Sequence, residues 1–170
     1  SEYICSILRN YNIDFTNKIA GYGVVALIKC KNPKSQVIAI RADMDALPIQ
    51  EKNQINYKSI HNGIMHACGH DVHTAILLGT GIVLNTLRDH LEGTIKLIFQ
   101  PAEEKLPGGA SLMIKEGVLL NPKVDKILAL HVFPEFEVGN VGFRLGKYMA
   151  ACDELSVNIK GKGGHAALPD

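Results

Sequence analysis

Residues 71–90 read DVHTAILLGTGIVLNTLRDH, and the reading of this stretch decides the fold. Its apolar residues Ile76, Leu77, Val83, Leu84 and Leu87 recur at helical spacing, Asp71 suits an N-cap or first-turn position, and Gly93 closes the segment. Upstream lies QVIAIRA (36–42) and downstream TIKLIFQ (94–100), short β-branched runs bounded by Gly, Pro, Asn or Asp, as expected of buried strands. Farther on, ASLMIKEG (110–117) reads as a second helix closed by Gly117, and the Asn-Pro pair at 121 and 122 leads into a further strand, KILALHV (126–132). GVVALIKC (23–30) reads as one more strand before them all. Strand, helix, strand, helix, strand predicts an α/β fold with a mainly parallel central sheet flanked by helices.

Beyond residue 133 the pattern changes. EVGNVGFRLGKYM (137–149) alternates like a hairpin with glycine turns, and DELSVNIKGKGGHAALPD (153–170) begins a further strand and a glycine-rich turn. A boundary is therefore expected near Met149 to Asp153, giving one domain over 1–151 and the opening of a second over 152–170.

The bulk numbers narrow the function classes. With 170 residues, 46% of them apolar, 21% charged and a net charge of +1, the chain can bury a core and is not a disordered segment. Its 18 basic and 17 acidic residues produce no single-signed field, which argues against a nucleic-acid partner and for a small-molecule one. The longest apolar runs are too short to span a bilayer, and no basic-then-apolar leader opens the chain, so no membrane partner is expected. Cys5, Cys30, Cys68 and Cys152 are scattered without a CxxC pair, the usage of a reducing compartment, and a cytoplasmic location is expected. The chain opens at Ser1 without a methionine and stops after a turn-like segment, so it reads as a fragment cut at both ends.

Sites in open α/β sheets form beyond the C-terminal ends of the strands, where loops converge and helix N-termini aim their free N–H groups inward. The stretch MHACGHD (65–71) brings Cys68 and His70 to such a position; Glu103 and Glu104 follow TIKLIFQ through Pro101, and His131 ends KILALH. Thiolate, imidazole and carboxylate from three segments are the ligand mixture of zinc or a similar borderline-soft divalent ion, or of a pair of them. Taken singly, Cys68 reads as a small apolar core residue, His131 as a satisfied core histidine and the glutamates as a solvated loop; taken together they favour a metal site. His61, His66 and His73 read as surface or supporting residues. Of two adjacent glutamates, one can bind metal while the other faces the water and passes its proton to a leaving amine. Two rivals stay open: a hydrolase with Cys68 as nucleophile and His70 or His131 as base, and a non-catalytic metal-binding module or fragment.

RADMDALPI, MHACGHDVHTA, LIFQPAEE followed by PGGA, LALHVFP and KGKGGHAALP together resemble the N-acyl-amino-acid amidohydrolases, the group of hippurate hydrolase, indoleacetyl-amino-acid hydrolase and N-acetyldiaminopimelate deacetylase within the wider aminoacylase and carboxypeptidase family. The resemblance runs from about residue 19 to the end. It implies a zinc aminopeptidase-like catalytic domain followed by the start of an α+β lid or dimerisation domain, and hydrolysis of the amide bond of N-acyl (acetyl, benzoyl or similar) amino acids by metal-activated water. By the same resemblance Cys68, His70, Glu104 and His131 hold one or two divalent ions (Zn, Mn, Ni or Co), and Glu103 is the general base. Asp45, in DMDALP, supports the ligands from behind, and His165, in GKGGHAALP, reaches over the active site of a partner subunit in a homodimer formed through the lid. The chain departs from the family in lacking its early HxxPE region and everything after the start of the lid, including a late histidine that completes the metal site.

Overall fold

In the computed structural model, which describes residues 1–150, 153, 155–165 and 167, each apolar run takes its place in one sheet. In chain order the elements are α1 (Glu2–Asn10), β1 (Asp14–Ile19), β2 (Gly23–Lys29), β3 (Val37–Asp43), α2 (His70–Thr86), a 3-10 turn (Arg88–His90), β4 (Thr94–Gln100), α3 (Gly109–Lys115) and β5 (Lys126–Ala129). The sheet order is β1-β2-β4-β3-β5. β3 runs parallel to β4, Val37 opposite Thr94 through Asp43 opposite Gln100, and parallel to β5, Ile38 opposite Lys126 through Arg41 opposite Ala129. β2 is antiparallel to both β4 and β1, so the sheet is mixed: the strands joined through helices α2 and α3 are parallel, and those that precede them are not. The antiparallel entry differs from a mainly parallel sheet for a simple reason. The link between β2 and β3 carries no helix, and without a crossover a strand has no route to a parallel neighbour.

Strand alternation sorts the side chains into two layers. On one face Val24, Ala26 and Ile28 of β2 join Leu97 and Phe99 of β4 and pack against Ile4, Cys5 and Leu8 of α1 and Leu77 and Leu78 of α2. On the other, Val25, Ala39 and Ile98 pack with Met113 of α3 and Val118. α1 and β1 lie outside the expected set of elements, although Ile4, Ile7 and Leu8 already carry a helical stripe. Gly81 lets α2 lie close on the sheet, since a Cβ there would come to 2.5 Å from Cδ1 of Leu97.

Lys96 of β4 is 0% exposed, and its ammonium donates to the carbonyls of Val118 (2.7 Å) and Pro122 (2.8 Å). Burial holds its pKa below the usual lysine value. Lys96→Met preserves the stem but strips both carbonyls of their donor. The lost charge-assisted bonds outweigh the relieved desolvation, so we expect about 2 kcal/mol of lost stability, read as a lower urea midpoint at unchanged slope.

The described residues divide into two compact units, Ser1–Phe133 and Pro134–Asp170, and each is described by itself. In the second, Asn140 N–H donates to the Glu137 carbonyl at 3.1 Å, and Gly142 backs directly onto the Phe136 ring. No strand forms there among the described residues, in contrast to the hairpin expected over 137–149 and the strand expected from 153. A lone two-stranded ribbon gains too little from its own pairing to hold in water, which accounts for the difference. The boundary expected at residues 151 and 152 lies outside the described residues. Among the described residues no helix is long and apolar enough to cross a membrane.

Candidate metal centre

The C-terminal ends of the parallel strands and the start of α2 meet at one edge of the sheet. β3 ends at Asp43, with Asp45 two residues on; β4 ends at Gln100, and Glu103 and Glu104 follow Pro101; β5 stops at Ala129, so His131 stands two residues past the strand rather than at its last position. α2 begins at His70, behind a Gly69 in the left-handed region (φ 82°), and Asp71 falls in its first turn. That glycine is required twice over: by its φ, and because a Cβ there would overlap Cγ2 of Val132.

Three donor sets come together, Cys68 with His70 and His131, His70 with Glu103 and Glu104, and Asp43 with His70 and His73, the donor atoms of each lying within 4.8 Å of one another. Cys68 Sγ is 3.5 Å from His131 Nε2, and His70 Nε2 is 3.9 Å from a Glu104 carboxylate oxygen and 3.7 Å from one of Asp43. Ligands of a tetrahedral ion with bonds of about 2.0–2.3 Å sit roughly 3.4 Å apart, so these spacings fit a shared ion with little rearrangement.

Hydrogen bonds decide which nitrogens are available. His70 Nδ1 lies 3.0 Å from the Asp45 carbonyl and 3.2 Å from its carboxylate, both acceptors, so the proton sits on Nδ1 and the lone pair of Nε2 points into the cluster. His131 Nδ1 donates to the Val132 carbonyl at 2.7 Å, which leaves its Nε2 lone pair facing Cys68. Asp45 does further work, since its second carboxylate oxygen accepts the Glu104 N–H at 3.0 Å. One acid therefore fixes both an imidazole and the glutamate loop, the usual arrangement behind metal-binding histidines. His73 differs: Nδ1 is 2.6 Å from Asp43 and Nε2 accepts the Val132 N–H at 2.9 Å, so neither nitrogen is available to an ion.

The charges need a cation. Burial, then the adjoining Glu104 carboxylate, then the charges of Glu103 and Asp43 push the Cys68 thiol up to about 11. Asp43, 1% exposed, is pushed up by its burial, but the hydrogen bond from His73 and the charge of Arg41, at 2.8 Å, outweigh it, and its pKa lies below the ordinary carboxylate value. Of the four carboxylates gathered here, Asp43, Asp45, Glu103 and Glu104, only Asp43 is paired with an arginine, and a divalent ion would offset the excess negative charge of the others.

The family model for peptidase family M20/M25/M40 matches residues 39–169. The chain belongs to this family. Among its relatives, the N-acetyl-L-cysteine deacetylase of Bacillus subtilis is 53% identical over 169 residues, 99% of this chain and 40% of that protein. The N-acyl-L-amino acid amidohydrolase of Geobacillus stearothermophilus is 50% identical over 134 residues, 79% of this chain and 36% of that one. Among solved structures, a Bacillus subtilis dinuclear metal-binding peptidase of the M20 family superposes with a TM-score of 0.76 at 43% identity, covering 81% of this chain and 38% of its own. The M20 chain thus spans about two fifths of the length of the curated relatives it matches. It is a hydrolase-family sequence on a mixed α/β sheet of the M20 catalytic type.

Cys68, His70, Glu103, Glu104, His131 and Asp45, all named from sequence, come together at this edge of the M20 sheet. His61 and His66 are exposed, and His165 is exposed in the second unit, its Nδ1 accepting the Ala167 N–H at 3.2 Å. Ala166, Leu168 and Pro169 of its motif lie outside the described residues. Asp43 was not singled out by sequence, and His73, read there as a surface or supporting residue, is buried against Asp43. His73 was legible, because His70, His73 and Leu77 fall on one helical face and all three are buried.

Proposed function

We propose that the M20 chain carries the metal-binding half of an enzyme that hydrolyses the amide bond of N-acyl amino acids, releasing a carboxylic acid and the amino acid. The convergence of Cys68, His70 and His131, lone pairs inward, on the glutamate pair carries this reading. The names of the two relatives supply the substrate class. Cys68, His70, Glu104 and His131 would hold one or two ions, and mixed sulfur, nitrogen and oxygen donors suit Zn, Mn, Co or Ni. When bound, the ions supply Lewis acidity to the amide carbonyl and make water a better acid. Glu103 takes the proton of the attacking water and delivers it to the leaving nitrogen as the C–N bond breaks. Asp45 holds His70 and Glu104 in place. His165, from the partner subunit of a homodimer, donates to the oxyanion. In this reading residues 1–151 belong to the catalytic domain and 152–170 open the lid, and the scattered cysteines fit a cytoplasmic enzyme.

Burial and the neighbouring carboxylates push the Cys68 thiol up to about 11, opposite to the lowered pKa that activates a cysteine nucleophile, and this favours the metal reading. The readings part under chelation. The complete protein, stripped of ions and tested on N-acetyl, N-benzoyl and N-indoleacetyl amino acids, is expected to lose essentially all turnover and to regain it with one of Zn, Mn, Co or Ni. Undiminished turnover in metal-free enzyme, abolished by thiol alkylation, would instead make Cys68 the nucleophile. Stoichiometric ion binding with no hydrolysis of any such amide would leave a binding module.

A further inference from the structure

His73 is buried in the first turn of α2, 1% exposed, and no step above uses it. Its hydrogen bonds fix its chemical form. A backbone N–H can only donate, so Val132 N–H at 2.9 Å makes Nε2 the acceptor; the proton then resides on Nδ1 and is given to Asp43 at 2.6 Å. One neutral ring thereby ties together the end of β3, the start of α2 and the stretch beyond β5. Val132 is seated from two sides, since its amide is bound by His73 and its side chain occupies the space left by the missing Cβ of Gly69. The residue before it is His131, whose ring stands edge-on to that of His73 with centroids 4.5 Å apart. From α2 the His131 ring is otherwise met by that of His70, centroids 6.3 Å apart and with no hydrogen bond between them among the described residues, and β5 itself pairs with β3 only as far as Ala129.

We infer that His73 is a positioning residue: its Nε2 holds the Val132 amide and so sets the His131 imidazole against Cys68 in the ion site. This inference rests on the ion-site reading above. The two side-chain amides separate its two bonds. Gln places an acceptor oxygen near Nε2 and keeps the bond to Val132, whereas Asn places a donor near Nδ1 and keeps only the bond to Asp43.

Cobalt(II) is the probe, because Cys68 bound to it as thiolate adds a charge-transfer absorption that reports the sulfur ligand and its neighbours directly. In the complete protein, His73→Asn is expected to bind cobalt about 10- to 100-fold more weakly, with the charge-transfer band shifted or diminished, as losses behind a ligand do. His73→Gln is expected to keep wild-type cobalt affinity and band. If the two variants behave alike, both normal or both weakened, the Val132 link does not set His131 and the inference falls. Should His73→Asn fail to fold, replacing the amide linkage at Val132 by an ester deletes the donor alone, leaving every side chain in place. That variant must show the same 10- to 100-fold loss, and normal cobalt binding overturns the inference. A wild-type protein that takes up no cobalt overturns the ion site itself, a distinct result, and this inference with it.

Discussion

Glu103→Gln in the complete protein is expected to retain its ions and lose about 100- to 10,000-fold in kcat. Glu103 and Glu104 are adjacent in sequence, and a carboxylate oxygen of each lies within 4.8 Å of a His70 ring nitrogen. Their surroundings differ. Glu104 has its backbone N–H fixed by Asp45 and its carboxylate beside Cys68, so it sits among the ligands. Both glutamates reach solvent, but Glu103 has no such tether among the described residues. Gln matches it in shape but cannot accept a proton. Ion content by atomic emission, set beside kcat, decides the matter. If Glu103→Gln loses ions and activity in parallel while Glu104→Gln keeps its ions, the two roles are reversed.

The second large effect is on His165. An oxyanion formed when water attacks an amide is stabilised by a preorganised donor, and removing one such donor costs about 100- to 1,000-fold in kcat. We expect His165→Ala in the complete protein to bind ions normally and to lose turnover on that scale. His165 is exposed, with Gly161, Gly163 and Gly164 before it, a setting that lets an imidazole project from a turn. If it acts on a partner's site, mixing His165→Ala with Glu103→Gln restores part of the activity, because a mixed dimer pairs one intact base with one intact imidazole. Demonstrated subunit exchange without recovery would show that His165 does not act across an interface.

How far residues alone predict this molecule depends on what each element needs. β4 matches the expected range residue for residue, because TIKLIFQ sets Ile95, Leu97 and Phe99 on one face and is closed by Gly93 and Pro101, a short apolar run bounded by turn residues. α2 starts one residue before Asp71 and ends at Thr86, its last turn loosening into the 3-10 segment. Strand direction was not legible for β2, since an apolar run looks the same whichever way it runs. The convergence of Cys68, His70, Glu103, Glu104 and His131 was legible because thiol, imidazole and paired acids all fall just past strand ends or at a helix start. Asp43 was not, because its role appears only once His73 and Arg41 are folded onto it. The segment 137–149 alternates like a strand pair, but among the described residues it makes only a turn.

β5 is four residues long, exposed throughout and paired through four positions with β3. Such an edge is where local opening begins, at a free energy well below that of unfolding the whole unit. In the proposed ion site it delivers His131, so fraying of β5 would withdraw an imidazole from the ion. Occupancy and closure are therefore one equilibrium. An ion present at 100 times its Kd would add about 2.7 kcal/mol to the closed form. An edge strand of this chain would thus be tethered by the site it serves.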